Sequence, residues 1–300
     1  MNQRNVNIQN LHIEFHADDY GLFPTQSQRI LDCRRNGNLN GVSMMPNSPH
    51  MQECVSALYP FLDTVAVTVH LNVIEGRSIC DPTQIPLLVN EKGVFNSRFV
   101  PLLLRSFLPG RNALRAQLKQ EFRAQIRAVR KYLPQEVPLR LDSHAHYHMI
   151  PVVFDAMMDV VREDNLPVSY IRIPREYLRL YLPHLFRFRD FSPINLVKVA
   201  VLNLLSGMAR LKYARELKPM EKKLFAGVAL SGRMYSENVK IFLPEAIKLA
   251  AKKGWNLEIL GHPGGVFEPE DIPEITSRED VSFLTSPLRK REKSLYLMDV

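Results

Sequence analysis

The chain predicts an α/β fold: a deformed (β/α) barrel of about seven parallel strands, with an inserted basic helical segment. Three observations predict it. Short runs rich in Val, Ile and Leu alternate with helical patterns, as a parallel sheet with helical crossovers requires. Runs this short and this rich in Val, Ile and Leu are what strands buried on both faces would give. A polar residue also stands in or just beyond every run. An open sheet would spread those residues along a line too long for one site, whereas a barrel gathers all seven strand ends around one mouth.

The runs follow in order. LHIEFHA (11–17) leads into Asp18 and Asp19, LNGVSMM (39–45) into Asn47, and TVAVTVHL (64–71) closes on His70. PLRLDS (138–143) leads into His144, SYIRI (169–173) contains Arg172, LFAGVAL (224–230) precedes Ser231, and NLEIL (256–260) precedes His262. Between them lie helical stretches. Thr25–Asn36 stops at Gly37, Asn112–Leu133 is charged along one side, Pro151–Asn165 opens on a proline suited to a first turn, and Ser236–Lys253 stops at Gly254. No repeat interrupts the pattern, so residues 1–300 read as one domain with a helical insertion at about 176–223.

With 300 residues, 46% hydrophobic and 23% charged, the composition supports a large core and excludes a disordered chain. The opening MNQRNVNIQN lacks the apolar stretch of a secretory signal, and no run offers roughly 20 uninterrupted apolar residues. Three cysteines without CxxC spacing suggest neither a disulfide framework nor a zinc–thiolate site. The expected location is the cytoplasm. The net charge of +8 does not imply nucleic acid, because eleven Lys/Arg against four Asp/Glu between Arg175 and Lys223 account for +7 of it. That segment interleaves Arg179, Arg187 and Arg189 with Leu, Tyr and Phe, then runs apolar from Ile194 to Met208 around Lys198. Its plainer reading is an ordinary barrel helix. The sharper one is a cap over the mouth, 175–218, resting on the anionic inner face of a membrane.

Four motifs carry chemistry. In LRLDSHAHYHMIP (139–151), His144, His146 and His148 alternate with Asp142, so an extended backbone would turn all four to one face. A solvated strand end would explain a single histidine more simply. HADDYG (16–21) sets two carboxylates side by side, where a strand would point them to opposite sides and give them two jobs; helix or turn capping is the plain alternative. His70 in VHLN ends an apolar strand, a place where a lone histidine usually only completes a core hydrogen bond. One of the two aspartates with His70 and His144 would make a facial metal site for zinc, magnesium, manganese, cobalt or iron. His262 in EILGHPGG stands beside a Pro-Gly-Gly turn, opposite the carboxylates, suited to protonating a leaving amine.

HADDYG, VHLN, DSHAHYHMIP and HPGG, in this order, resemble the motifs of the YdjC-like family, which includes chitooligosaccharide deacetylases and hopanoid-associated deacetylases. The resemblance implies a deformed barrel and one divalent metal ion, magnesium or zinc. It implies a hydrolase that removes the acetyl group from an N-acetylated amino sugar. It implies Asp19, His70 and His144 as metal ligands, Asp18 as catalytic base and His262 as acid. Arg172 would orient Asp18, while Asn47, His146 and His148 would contact substrate or support the ligands. Two other readings stand beside this one: a barrel that binds a glycan or a partner without catalysis, and a metal hydrolase of another bond such as a phosphoester. A homo-oligomer is compatible with all three.

Overall fold

The computed structural model describes residues 11–265, 282 and 285–299. Seven strands alternate with helices. β1 (Ile13–Tyr20), α1 (Pro24–Arg35), β2 (Leu39–Met44), α2 (Met51–Leu58), β3 (Ala66–Leu71), α3 (Phe99–Arg105) and α4 (Arg111–Arg130) form the first half. β4 (Leu139–Ser143), α5 (Pro151–Glu163), β5 (Val168–Ile171), α6 (Ile194–Lys212), α7 (Ala214–Leu217), β6 (Lys223–Ala226), α8 (Ser236–Lys253), β7 (Asn256–Gly261) and a last helix, Pro287–Tyr296, complete it.

All strand pairs are parallel, in the order β5-β4-β3-β2-β1-β7-β6. The sheet curls into a half-barrel that brings its edge strands, β5 and β6, near each other. The backbone N–H of Glu221, just before β6, donates to the carbonyl of Ser169 in β5 at 2.9 Å, and the Lys223 ammonium lies 4.4 Å from the Tyr170 ring centre. The expected deformed barrel is therefore present, with its seam between β5 and β6.

The barrel interior is ionic rather than aliphatic. Glu14, His16 and Asp18 alternate along β1 and share a face, as residues two apart on a strand must. His16 Nδ1 lies 2.7 Å from Glu14 Oε1, and Glu14 also meets Arg140 at 2.5 Å and the Lys223 ammonium. Burial alone would raise the Glu14 carboxyl, but Arg140, His16 and Lys223 hold it well below the usual range. Gly41 on β2 makes room for this column: a Cβ there would sit 2.5 Å from His16 Nδ1 and 2.7 Å from Glu14 Oε1.

The outer helices pack on the aliphatic face of the sheet. The charged side expected of the 112–133 stretch points at α5, not at water. Arg111, Arg115 and Lys119 pair with Asp155, Asp159 and Glu163. Each pair is separated by the same 44 residues, as parallel crossover helices require. Gly254 ends α8 in the left-handed conformation as expected (φ 64°). Gly37 is glycine for another reason: a Cβ would sit 2.2 Å from the Tyr296 carbonyl oxygen, so it admits the last helix.

The segment expected as an insertion at 176–223 contains the β5-to-β6 crossover helix, α6. One side of α6 buries Val199, Leu202, Leu205 and Ala209 in the core. By length and composition alone α6 would also suffice to cross a membrane; its buried side instead lays it along the barrel.

Candidate active site

Asp18 and Asp19 leave β1 through a break in the β1–β2 register between Ala17 and Tyr20. Asp19 takes a left-handed backbone (φ 66°), a conformation that Asp tolerates better than most residues. The strand expectation of opposite-facing carboxylates fails here, because the irregularity turns both toward one cavity. That cavity, of about 530 Å³, is lined by Asp18, Asp19, His144, His146 and His262, with Phe99, Tyr147, Val197 and Val201 at its apolar walls and Lys198 among them.

The histidine run is likewise not extended. β4 ends at Ser143, and His144–Met149 form a 3-10 turn in which Ala145 (φ 49°) and His146 (φ 59°) are left-handed. The three imidazoles therefore separate. His144 turns to Asp19 (Nδ1–Oδ1 3.0 Å) and Glu75 (Nε2–Oε2 3.2 Å). His146 lines the cavity edge-on to Phe225, its Nδ1 buried without a hydrogen-bond partner. His148 is fully buried: Ser143 Oγ lies 2.7 Å from its Nδ1, and its Nε2 donates to the Arg172 carbonyl at 2.7 Å. Burial pushes His148 down to about 4 and, with Arg172 adding to it, pushes His146 well below its usual value, so both are neutral.

His70 is oriented from below by Asp142, whose Oδ1 lies 2.7 Å from His70 Nδ1. Asp142 Oδ2 in turn accepts from Ser43 at 2.5 Å and meets Arg172 at 2.5 Å. This leaves His70 Nε2 buried, 3.5 Å from Asp19 Oδ1 and without a hydrogen-bond partner. Such a carboxylate–imidazole pair is how proteins fix the tautomer of a metal-binding histidine. Asp19, His70 and His144 bring their donor atoms within 4.8 Å of one another. One carboxylate and two imidazoles, with a buried nitrogen left unpaired, fit a divalent ion. Burial would lower His70, yet Asp142 and Asp18 lift it to about 9; burial would raise Asp19, yet His144, His70 and Arg289 hold it well below the usual range. Arg289 Nη2 lies 2.9 Å from Asp19 Oδ2.

Arg172 lies directly behind Asp18. It is fully buried and donates from Nη1 to both Asp18 oxygens (2.9 and 3.0 Å) while Nε reaches Glu258 at 2.7 Å. Burial would raise the Asp18 carboxyl; Arg172 outweighs it and holds Asp18 below its usual value. His262 also lines the cavity, its backbone N–H donating to Glu292 at 2.7 Å and its carbonyl accepting from Arg289 at 3.1 Å, the arginine that also meets Asp19. Asn47 lies away from the cavity. Its amide donates to the carbonyls of Glu75 and Arg77, both at 2.9 Å, and its Oδ1 accepts from Asn72. It braces the loop that presents Glu75 to His144.

Glu75, Glu258, Arg289 and Glu292 were not singled out by the sequence motifs, and Asp142 was named only as part of the histidine alternation. A charged residue in the middle of the apolar run NLEIL was the available signal for Glu258. Arg289 and Glu292 reach the site from the last helix, and nothing local marks them.

Fold and site together define a (β/α)-barrel protein with an Asp–His–His cluster and a second carboxylate at the mouth of its strands. The YdjC-like protein family model matches residues 12–292, and the chain belongs to that family. A carbohydrate deacetylase from Danio rerio is 25% identical over 60% of this chain and 53% of its own length. A chitooligosaccharide deacetylase from Yersinia pestis is 29% identical over 52% of this chain and 58% of its own. The chain thus spans little more than half the length of these relatives. A crystal structure from Enterococcus faecalis V583, described as a candidate cellobiose-phosphate cleavage protein, shares the fold. It superposes with a TM-score of 0.59 at 18% identity and covers 97% of both chains.

Proposed function

We propose that the protein is a metal-dependent N-deacetylase of N-acetylated amino sugars, releasing acetate and a free amine. The observation that carries this reading is the division of labour in one cavity. Asp19, with Arg289 on its other oxygen, forms a three-donor cluster with His70 and His144, while both oxygens of Asp18, beside them, accept from Arg172. The names of the two relatives support the same reaction class.

Asp19, His70 and His144 would hold the ion. A divalent ion in such a site would polarise an amide carbonyl and make water more acidic, toward a pKa of about 7. Asp18, held below its usual value and oriented through Nη1 of Arg172, would take the proton of the attacking water. General bases of this kind contribute about 10²–10⁴-fold. His262, which lines the same cavity, would supply a proton to the nitrogen as the C–N bond breaks, so that the amine leaves neutral. His146, which lines the cavity, would contact the sugar or support the ligands. A barrel that merely bound glycans would need neither the orphaned His70 nitrogen nor an arginine-locked carboxylate beside it.

The test is acetate release from a panel of N-acetylated mono- and oligosaccharides, after chelation and after adding back zinc, magnesium, manganese or cobalt. Metal-dependent acetate from at least one sugar is expected. Phosphate release from phosphosugars without any acetate would favour the phosphoester reading instead.

A further inference from the structure

We infer that the face formed by α3 and α6 around the cavity mouth is a docking surface for an anionic lipid bilayer. Helix α6 is apolar on two sides. One side is buried in the barrel, and the other carries Ile194, Val197, Val201, Leu204, Met208 and Leu211 at alternating spacings of three and four. That spacing draws one continuous stripe along a helix. Val197, Leu204 and Leu211 are each more than half exposed, and so are Val100, Leu104 and Phe107 on and just after α3. The first residue of α3, Phe99, lines the cavity together with Val197, Lys198 and Val201 of α6, so both helices start at its lip.

Charge selects the occupant. From Ser97 to Gly110 and from Phe191 to Arg215 there is no Asp or Glu. Arg98, Lys198 and Arg215 are exposed and form no ion pair among the described residues. Two copies of this chain stacked stripe to stripe would bring like charges together. A bilayer containing anionic lipid takes the apolar side chains into its interfacial layer and pairs the cations with its headgroups. In that pose the cavity opens toward the lipid surface, and its sugar would be one carried by a membrane lipid. That last clause rests on the deacetylase reading; the docking itself does not.

Two measurements separate them. The full chain is sedimented with vesicles of phosphatidylcholine alone and of equimolar phosphatidylcholine and phosphatidylglycerol, at low and high salt. Binding should require the anionic lipid and weaken with salt. The L204E/L211E variant changes two exposed residues outside the cavity lining. It should bind more than about tenfold less tightly, given the burial two leucines contribute. It should also keep wild-type acetate release from a water-soluble sugar. Wild-type protein that ignores anionic vesicles at low salt overturns the inference. So does a variant that binds as wild type, or a stripe that instead holds a dimer which the variant dissociates. Vesicle binding without acetate from any sugar would leave the surface standing and remove the deacetylase reading.

Discussion

Replacing Arg172 by Met tests the link between fold and chemistry most severely. The guanidinium is fully buried and compensates three buried carboxylates: Asp18, Asp142 and Glu258. Methionine keeps much of the volume but leaves those carboxylates without their shared cation. Removing one member of a buried charge network typically costs about 3–5 kcal/mol. With an unfolding entropy of roughly 2.1 cal/mol/K per residue, a chain of 300 residues should lose about 5–8 °C in Tm. Differential scanning calorimetry at pH 7 reads this directly. Acetate release should fall with it, because Asp18 loses both its orientation and its guarantee of ionisation, whereas R172K should recover part of the stability and less of the activity. An R172M protein melting within a degree of wild type would refute the argument that Arg172 anchors the interior and holds Asp18.

Three further outcomes are expected. Asp18→Asn should keep its metal, by elemental analysis, and lose at least about 10²-fold in turnover, the lower end of general-base contributions; loss of metal would exchange its role with that of Asp19. His144→Ala, at a partly exposed strand-end turn, should strip the metal while far-UV circular dichroism stays unchanged. Glu176 is buried behind the cavity and accepts the backbone N–H groups of Gly227, Val228 and Ala229; burial outweighs those bonds and raises it to about 7. The folded state therefore binds an extra proton between the ordinary carboxyl value of about 4.3 and 7, and this group's contribution to stability is lost as pH rises through that window. Chemical denaturation across the window should show wild type declining relative to E176Q, and parallel curves would contradict it.

The barrel was legible because its strands are short, alternate with helices and are tipped with polar residues; apolar burial on both faces was not found, since Glu14, His16, Arg172, Lys223 and Glu258 make the inner face ionic. Strand limits were less so. The run expected to extend to Leu230 ends at Ala226, because Glu176 captures the next three N–H groups. The alternation in DSHAHYH pointed to the right place for the wrong reason. Asp142 and His144 do serve one site, but two left-handed residues send His146 to the cavity wall and His148 into the core. Aspartates 18 and 19 share the cavity only through the register break, which periodicity does not reveal. Glu75 depends on an Asn47–Asn72 brace, and Arg289 on a helix some 270 positions from Asp19. Such partners are set by three-dimensional closure and leave no local pattern.

The central claim is that Asp19, His70 and His144 hold a catalytic ion, and anomalous diffraction from crystals grown with zinc or manganese tests it most directly. The account predicts one strong anomalous peak at about 2.0–2.2 Å from an Asp19 oxygen and from His70 Nε2, with a nitrogen of His144 completing the set. A peak at His262 and Glu292, or none among these three residues at saturating metal, would contradict it.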